Sequence, residues 1–172
     1  MIIGSGGAGK STLARQLGKM LDLPVIHLDA VHWQPGWVAM PKDEWCGKVA
    51  EMTQGERWII DGNYGGTLPA RLAVADTIIF LDYPWWLCLW RVLRRRVQYH
   101  GRTRPDLSPG CPEQLDWEFL KWVCVDFPRH SRGRILQLVQ EHGGHAHLIQ
   151  HQSPRETRRW LAEISQDKAH LV

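Results

Sequence analysis

Apolar positions along the chain fall into two periods. Short, nearly continuous apolar runs at 25–28, 58–60, 77–81 and 146–149 read as strands. Met1-Ile2-Ile3 ahead of Gly4 reads as another. About five residues is usual for a strand, so either this one is short or the chain begins upstream of Met1. Between the strands the spacing turns helical. Leu13, Leu17, Met20 and Leu21 mark a helix over 10–22 that must stop before Pro24. Trp45, Val49 and Met52 mark one that opens at Pro41 and ends at Gly55. A short helix covers 68–74, with Arg71 facing either solvent or a substrate phosphate. A longer one covers 85–100, with Trp86, Leu89, Trp90, Leu93 and Val97 as its buried stripe.

Two further helices follow, 112–126 with Leu115, Phe119, Trp122 and Val123 inward, and 128–142 with Ile135, Leu138 and Val139 inward. Pro128 separates them. Ser153-Pro154-Arg155-Glu156 has capping-box spacing and opens a last helix carrying Trp160, Leu161 and Ile164. The tail after Gln166 is expected to fray. The run 77–81 has no polar gap, as befits a parallel strand covered on both faces. Strand–helix alternation from end to end predicts a single α/β domain over 1–172, with five parallel strands and helices on both faces.

The chemistry is most explicit at the start. Gly4-Ser5-Gly6-Gly7-Ala8-Gly9-Lys10-Ser11-Thr12 fits G-x-x-x-x-G-K-[ST] at every fixed position. The glycines let backbone N–H groups point inward, where side chains would block a phosphate. The following helix N-terminus favours an anion. Lys10 can reach the β- and γ-phosphates of a nucleoside triphosphate, and the Ser11 hydroxyl can ligate Mg²⁺. Two carboxylates end apolar strands. Asp61, before Gly62, holds the place of a Walker B aspartate opposite Ser11. Asp29 sits where open α/β sheets bind ligands; there it would orient or deprotonate an acceptor hydroxyl, hold Mg²⁺ through water, or serve as a cap. His27 packs or hydrogen-bonds in the sheet, and His32 falls in the next loop. Trp33 and Trp37, in a Pro-Gly loop, either stack on a planar substrate or cover a core edge.

Composition adds constraint. The 172 residues are 44% hydrophobic and 23% charged, an ordinary globular balance. No secretory leader and no membrane span is visible, so a cytoplasmic setting with reduced thiols is expected. Cys46, Cys88, Cys111 and Cys124 form no C-x-x-C pair, which argues against zinc. Net charge is only +3, yet arginine outnumbers lysine fifteen to six, a bias that suits bidentate phosphate recognition and also follows from GC-rich coding. Position is more telling than number. Arg94, Arg95 and Arg96 are consecutive and span most of a helix circumference, so one of them can face the ligand edge. Arg102 and Arg104 lie in a long, three-proline loop over 101–113, as in a mobile lid. Arg129, Arg132 and Arg134 sit in early helical turns, where the dipole gives cations nothing. They are therefore stronger candidates than the 94–96 cluster.

The chain resembles the small bacterial P-loop proteins known as DNA topology modulation proteins, relatives of the adenylate kinases. The likeness rests on Gly4 through Thr12 and on His27-Leu28-Asp29 with Trp33-Gln34-Pro35-Gly36-Trp37. It continues in Trp58-Ile59-Ile60-Asp61-Gly62-Asn63-Tyr64, Leu87-Cys88-Leu89-Trp90-Arg91, Gly101-Arg102-Thr103-Arg104-Pro105 and Phe127-Pro128-Arg129. It implies a three-layer P-loop NTPase fold of the nucleoside-monophosphate-kinase type, with a substrate-binding segment over 29–55 and an Arg-rich lid within 94–134. Adenylate kinases follow Asp-Gly with Phe-Pro-Arg, whereas this chain has Asn63-Tyr64-Gly65, which weakens the case for AMP as acceptor.

The expected function is Mg²⁺-dependent transfer of the ATP γ-phosphate to a small-molecule acceptor. Lys10, Asp29 and one or two of Arg95, Arg102, Arg104, Arg129 and Arg132 would act catalytically, and Ser11 with Asp61 would hold the metal. The absence of an Asn-Lys-x-Asp motif favours ATP over GTP. The alternatives are a nucleotide-responsive DNA-associated regulator, for which no DNA-reading motif is present, and an NTPase switch without an acceptor. The protein would act as a monomer or homodimer.

Overall fold

Apolar central strands buried from both sides set the architecture. The computed structural model describes residues 1–170, with side chains as far as 166; the fray expected after Gln166 falls outside those side chains. Five strands form a parallel sheet: β1 (Ile2–Gly4), β2 (Val25–His27), β5 (Ile59–Asp61), β6 (Thr77–Leu81) and β7 (His147–His151). Their order is β2-β5-β1-β6-β7. β1 pairs with β5 on one side and β6 on the other, Ile2 opposite Ile79 and Ile3 opposite Phe80. The chain order reverses at β1, so the crevice beyond its C-terminal end is where such a sheet takes a ligand.

The pleat sends alternate residues to two cores. Ile2, Ile59, Ile79 and Leu81 meet Leu13 and Leu17 of α1 (Lys10–Leu21), Cys88 of α5 (Trp85–Gln98) and Trp160 and Leu161 of α8 (Pro154–His170). Ile3, Ile78 and Phe80 meet Leu68 and Leu72 of α4 (Leu68–Leu72) and Ile135 and Val139 of α7 (Arg132–His142). Ile60 packs with Leu28, Trp45 and Val49, the last two from α3 (Lys42–Met52). The fold is α/β with helices on both faces, as the strand–helix alternation predicts. Among the described residues no helix is long and apolar enough to cross a membrane.

Four local expectations change. His32 does not lie in a loop; with Asp29, expected at the strand end, it belongs to a short helix, α2 (Leu28–His32), entered directly from β2. The segment after it is a two-stranded hairpin of β3 (Trp33–Gln34) and β4 (Val38–Ala39), turned by Gly36 at φ 79° and Trp37 at φ 63°. Most of the expected buried stripe of α5 faces outward: Trp86, Trp90, Leu93 and Val97 are exposed, Leu89 alone of the five packs on the core, and Cys88 and Val92 are the buried pair.

Fourth, Pro128 does not divide two helices. α6 (Trp117–Lys121) runs through a π-helical stretch, Trp122–Ser131, into α7. Phe119, Val123, Phe127, Ile135 and Val139, all packed on the two cores, recur at multiples of four. In an α-helix each four-residue step overshoots a full turn by about 40°. A wider turn removes that drift and keeps one side of the rod against the sheet. The same widened bonding tolerates the proline N–H that is missing.

The end of β7 makes stability depend on pH. His151 is buried against Trp160, and among the described residues its Nε2 has no hydrogen-bond partner. Burial holds its pKa below the usual histidine value, against the pull of Glu156. Below about pH 6.5 the unfolded chain therefore takes up a proton that the folded chain resists, and stability falls with pH. Urea titrations between about pH 7.5 and 5 should show that decline, and His151→Phe should flatten part of it.

Candidate active site

The turn out of β1 has the backbone of a phosphate cradle. Gly7 and Gly9 sit at φ 79° and 98°, and a Cβ on Gly7 would run into the Cys88 carbonyl of α5. α5 also reaches the loop through Arg91, whose Nη1 donates to the Ala8 carbonyl at 3.1 Å. Lys10, first residue of α1, donates from Nζ to the Gly4 and Ser5 carbonyls, 3.0 Å each. Burial presses its pKa down, while Asp29 and then Asp61 oppose that shift. A half-buried ammonium among inward-facing amides is a strong anion receptor.

Asp61 ends β5 with its carboxylate almost fully enclosed. The Ser11 hydroxyl lies 3.5 Å from Oδ1, and His27 Nδ1 lies 2.6 Å from Oδ2. A carboxylate only accepts, so the imidazole donates there and fixes the rotamer. Among the described residues no group of three His, Cys, Asp or Glu side chains converges to hold a metal, and a hydroxyl with a carboxylate oxygen forms a hard-oxygen pair. That set fits Mg²⁺, which usually keeps waters and substrate phosphates for its other positions.

The loop after Asp61 joins the phosphate cradle to Asp29. Gly4 N–H donates to Asn63 Oδ1 at 3.0 Å, and Asn63 Nδ2 donates to the Gly4 carbonyl at 2.8 Å. Tyr64 Oη donates to Asp29 Oδ1 at 2.8 Å. The phenol pKa is raised, first by burial and then by the Asp29 charge, so Tyr64 stays a donor. Its backbone is left-handed, φ 39°, a cost that surrounding contacts must cover.

Those contacts come from Arg71. Expected at solvent or at a substrate phosphate, it is instead 0% exposed beneath the loop. Its guanidinium donates to the carbonyls of Gly62 (2.9 Å), Asn63 and Tyr64 (3.3 Å). Burial lowers its pKa to about 10, so it remains charged.

The arginines separate clearly. Arg95 and Arg104 reach the cavity; Arg102, Arg129 and Arg132 are not among its lining residues. Arg132 is bound bidentately to Asp82 (2.8 and 2.7 Å), which accounts for its early-turn position without a substrate. Arg129 and Arg102 are exposed. Glu113 bridges the two that remain: Arg95 Nε lies 2.8 Å from Oε1 and Arg104 Nε 2.6 Å from Oε2. Arg104 also pairs with Asp106 at 2.9 Å. Burial lowers the Arg95 pKa, as does the charge of Arg104, and Glu113 works against both.

The 101–113 segment is not a free lid. Gly36 N–H donates to the Gly110 carbonyl at 2.9 Å, Trp37 Nε1 to Pro112 at 3.0 Å, and Ser108 to Ala30. These bonds stitch it to α2 and the hairpin.

A cavity of about 950 Å³ results, lined by Gly6–Thr12, Asp29, Trp33, Trp37, Asn63, Tyr64, Arg95 and Arg104 among others. Trp33 and Trp37 thus have ring surface at the cavity, 5.5 Å apart edge to face. Glu113, Asp106, Arg91, Asn63 and Tyr64 were not singled out as site residues from the sequence. A buried acid between two arginines leaves no local signal. Asn63 and Tyr64 could have been found from their place just after a strand-end aspartate.

Removing the charge under the loop tests its role. Arg71→Met should cost on the order of 3 kcal/mol of unfolding free energy, because three buried carbonyls lose their donor. Tyr64→Phe, which leaves the loop held, should cost about 1.5 kcal/mol or less. Urea denaturation of the two variants beside the parent measures both.

No protein-family model matches the chain, and no curated protein matches it. Among solved structures it is similar to the shikimate kinase of Bacteroides thetaiotaomicron, with 18% identity, a TM-score of 0.49, and 99% of this chain and 95% of that one covered. It is also similar to a gluconokinase of Sinorhizobium meliloti 1021, with 15% identity, a TM-score of 0.46, and 99% and 94% covered. Likenesses of this strength carry no chemical argument; the chemistry rests on the residues described above.

Proposed function

We propose that this chain is a kinase that transfers the γ-phosphate of ATP, with Mg²⁺, to a hydroxyl of a small nucleotide- or nucleoside-type acceptor. One observation carries the reading. Lys10, Ser11, Asp29, Arg95 and Arg104 line the same cavity, so phosphate receptor, metal-binding hydroxyl, acceptor carboxylate and lid cations face one volume. Phosphoryl transfer asks for positioning and charge neutralisation rather than covalent chemistry from the protein.

Lys10 and the loop amides would hold the β- and γ-phosphates. Ser11 and Asp61 would hold Mg²⁺, with His27 keeping the carboxylate in place. Bound there, Mg²⁺ would neutralise charge on the β- and γ-phosphate oxygens. Asp29, one oxygen already occupied by Tyr64, would take the acceptor's hydroxyl proton on the other. The acceptor oxygen bonds to Pγ as the bond to the β-phosphate oxygen breaks and ADP leaves. Arg95 and Arg104, aimed by Glu113, would cover the transferring group.

Residues 29–55 would form the acceptor-binding segment and 94–134 the lid region, in a reducing cytoplasm. The resemblance to DNA topology modulation proteins accords with this, since Asp29, Trp33, Asn63 and Tyr64 from its motifs all meet the cavity.

An acceptor screen tests the reading. Protein with Mg-ATP is offered nucleosides, nucleoside monophosphates and small hydroxylated metabolites. Acceptor phosphorylation is expected, abolished in Lys10→Ala and lowered about 10²–10⁴-fold in kcat in Asp29→Asn. Asp61→Asn should lose far more turnover than ATP affinity; wild-type activity would remove Asp61 from the metal site. ATP hydrolysis with every acceptor refused would make the protein an NTPase switch. Duplex-DNA binding that falls steeply with salt would make it a DNA-associated regulator.

A further inference from the structure

The outward stripe of α5 is the largest feature that the site leaves unused. Trp86 is 59% exposed, Trp90 54%, Leu93 44% and Val97 80%. At 100° per residue the four fall within an arc of about 60°, one continuous ridge. Contiguous apolar exposure of this kind marks an interaction surface. The helix cannot roll to bury the ridge in its own chain. Its other sides hold Cys88 and Val92 in the core, Arg91 on the phosphate loop and Arg95 on Glu113.

Charge placement indicates what covers the ridge. α5 has no acidic residue. Its N-terminal half is aromatic (Trp85, Trp86, Trp90), and its C-terminal half carries Arg94 and Arg96, roughly 70° and 90° to either side of the ridge. Arg94 already lies over the Trp90 ring of its own chain, 5.5 Å from the centroid. A second copy laid antiparallel along the ridge sets each cationic half on the other's aromatic half, so every arginine gains a tryptophan face. That arrangement opposes the two helix dipoles. It also spaces equivalent arginines along the axis, by roughly 7.5 Å for Arg94 and roughly 13.5 Å for Arg96, at or beyond the screening length of about 8 Å at physiological salt. The two half-exposed tryptophans of the ridge, with its leucine and valine, offer at most roughly 500 Å² per chain. The pair then buries about 1,000 Å², at the lower end of the range, which fits a weak, reversible dimer.

We propose that α5 is the contact of a two-fold symmetric homodimer, packed antiparallel through Trp86, Trp90, Leu93 and Val97. The contact lies on the side of the helix away from Arg91 and Arg95, so the dimer leaves both cavities open.

Sedimentation velocity over a concentration series tests this. The wild type should show a reversible monomer–dimer equilibrium. Trp86→Ser/Trp90→Ser should weaken it at least about 20-fold, with an unchanged far-UV circular dichroism spectrum. Arg94→Gln/Arg96→Gln should weaken it about fivefold through the lost cation–π contacts. A wild type that stays monomeric at about 100 µM overturns the proposal, and so does a dimer indifferent to the tryptophan pair. Tightening on removal of the arginines overturns the antiparallel arrangement. A monomer that co-sediments with phosphatidylglycerol vesicles, and loses that in the tryptophan variant, assigns the ridge to a lipid surface instead.

Discussion

A single cation beneath residues 62–64 determines how the two halves of the site relate. Among the described residues no carboxylate pairs with Arg71; its charge meets only backbone carbonyls. A buried charge is costly to install and more costly to strip of its partners. The loop above it is therefore fixed, and three devices hang from that loop. Asp61 precedes it, Asn63 ties it to the phosphate turn, and Tyr64 aims Asp29. Asp61, the glycine-rich turn and Asp29 thus share one rigid reference.

The opposite wall follows a different principle. Arg95 and Arg104 come from separate segments, and Glu113 brings them together, accepting from Arg95 Nε and pairing by charge with the Arg104 guanidinium. The remaining guanidinium nitrogens of Arg95 stay available to an anion. The same stretch is bonded to α2 and the hairpin through Ala30, Gly36 and Trp37. The 33–39 hairpin and the 101–113 segment are thus bonded into one wall of the cavity.

What the sequence disclosed follows from the range of each interaction. The glycine-rich turn was legible as a motif because it lies within nine consecutive residues. The central strands β5, β1 and β6 were legible because burial on both faces removes polar residues from them. Asp29 and Asp61 were legible as strand-end carboxylates in an α/β pattern. The lid arginines were not resolved, because the choice among Arg95, Arg102, Arg104, Arg129 and Arg132 depends on which acid lies near each in space. Asp82 claims Arg132 across fifty positions, and Glu113 claims Arg95 across eighteen. Arg71 was misread because a charged residue is ordinarily exposed. The α5 stripe was misread because periodicity reports that a face is apolar, not which molecule covers it.

The π-helical stretch, Trp122–Ser131, bears on how this chain tolerates changes of length. Its wide turns reconcile the phase of α6, set by Phe119 and Val123, with that of α7, set by Ile135 and Val139. Loss of one residue there would restore an α-helical repeat upstream and rotate everything beyond it by about 100°. Ile135 and Val139 would leave the sheet, and Arg132 would leave Asp82. Insertions and deletions that the surface turns at 53–57 or 143–146 can absorb would be excluded from this decade of residues, which works as a vernier between two helices.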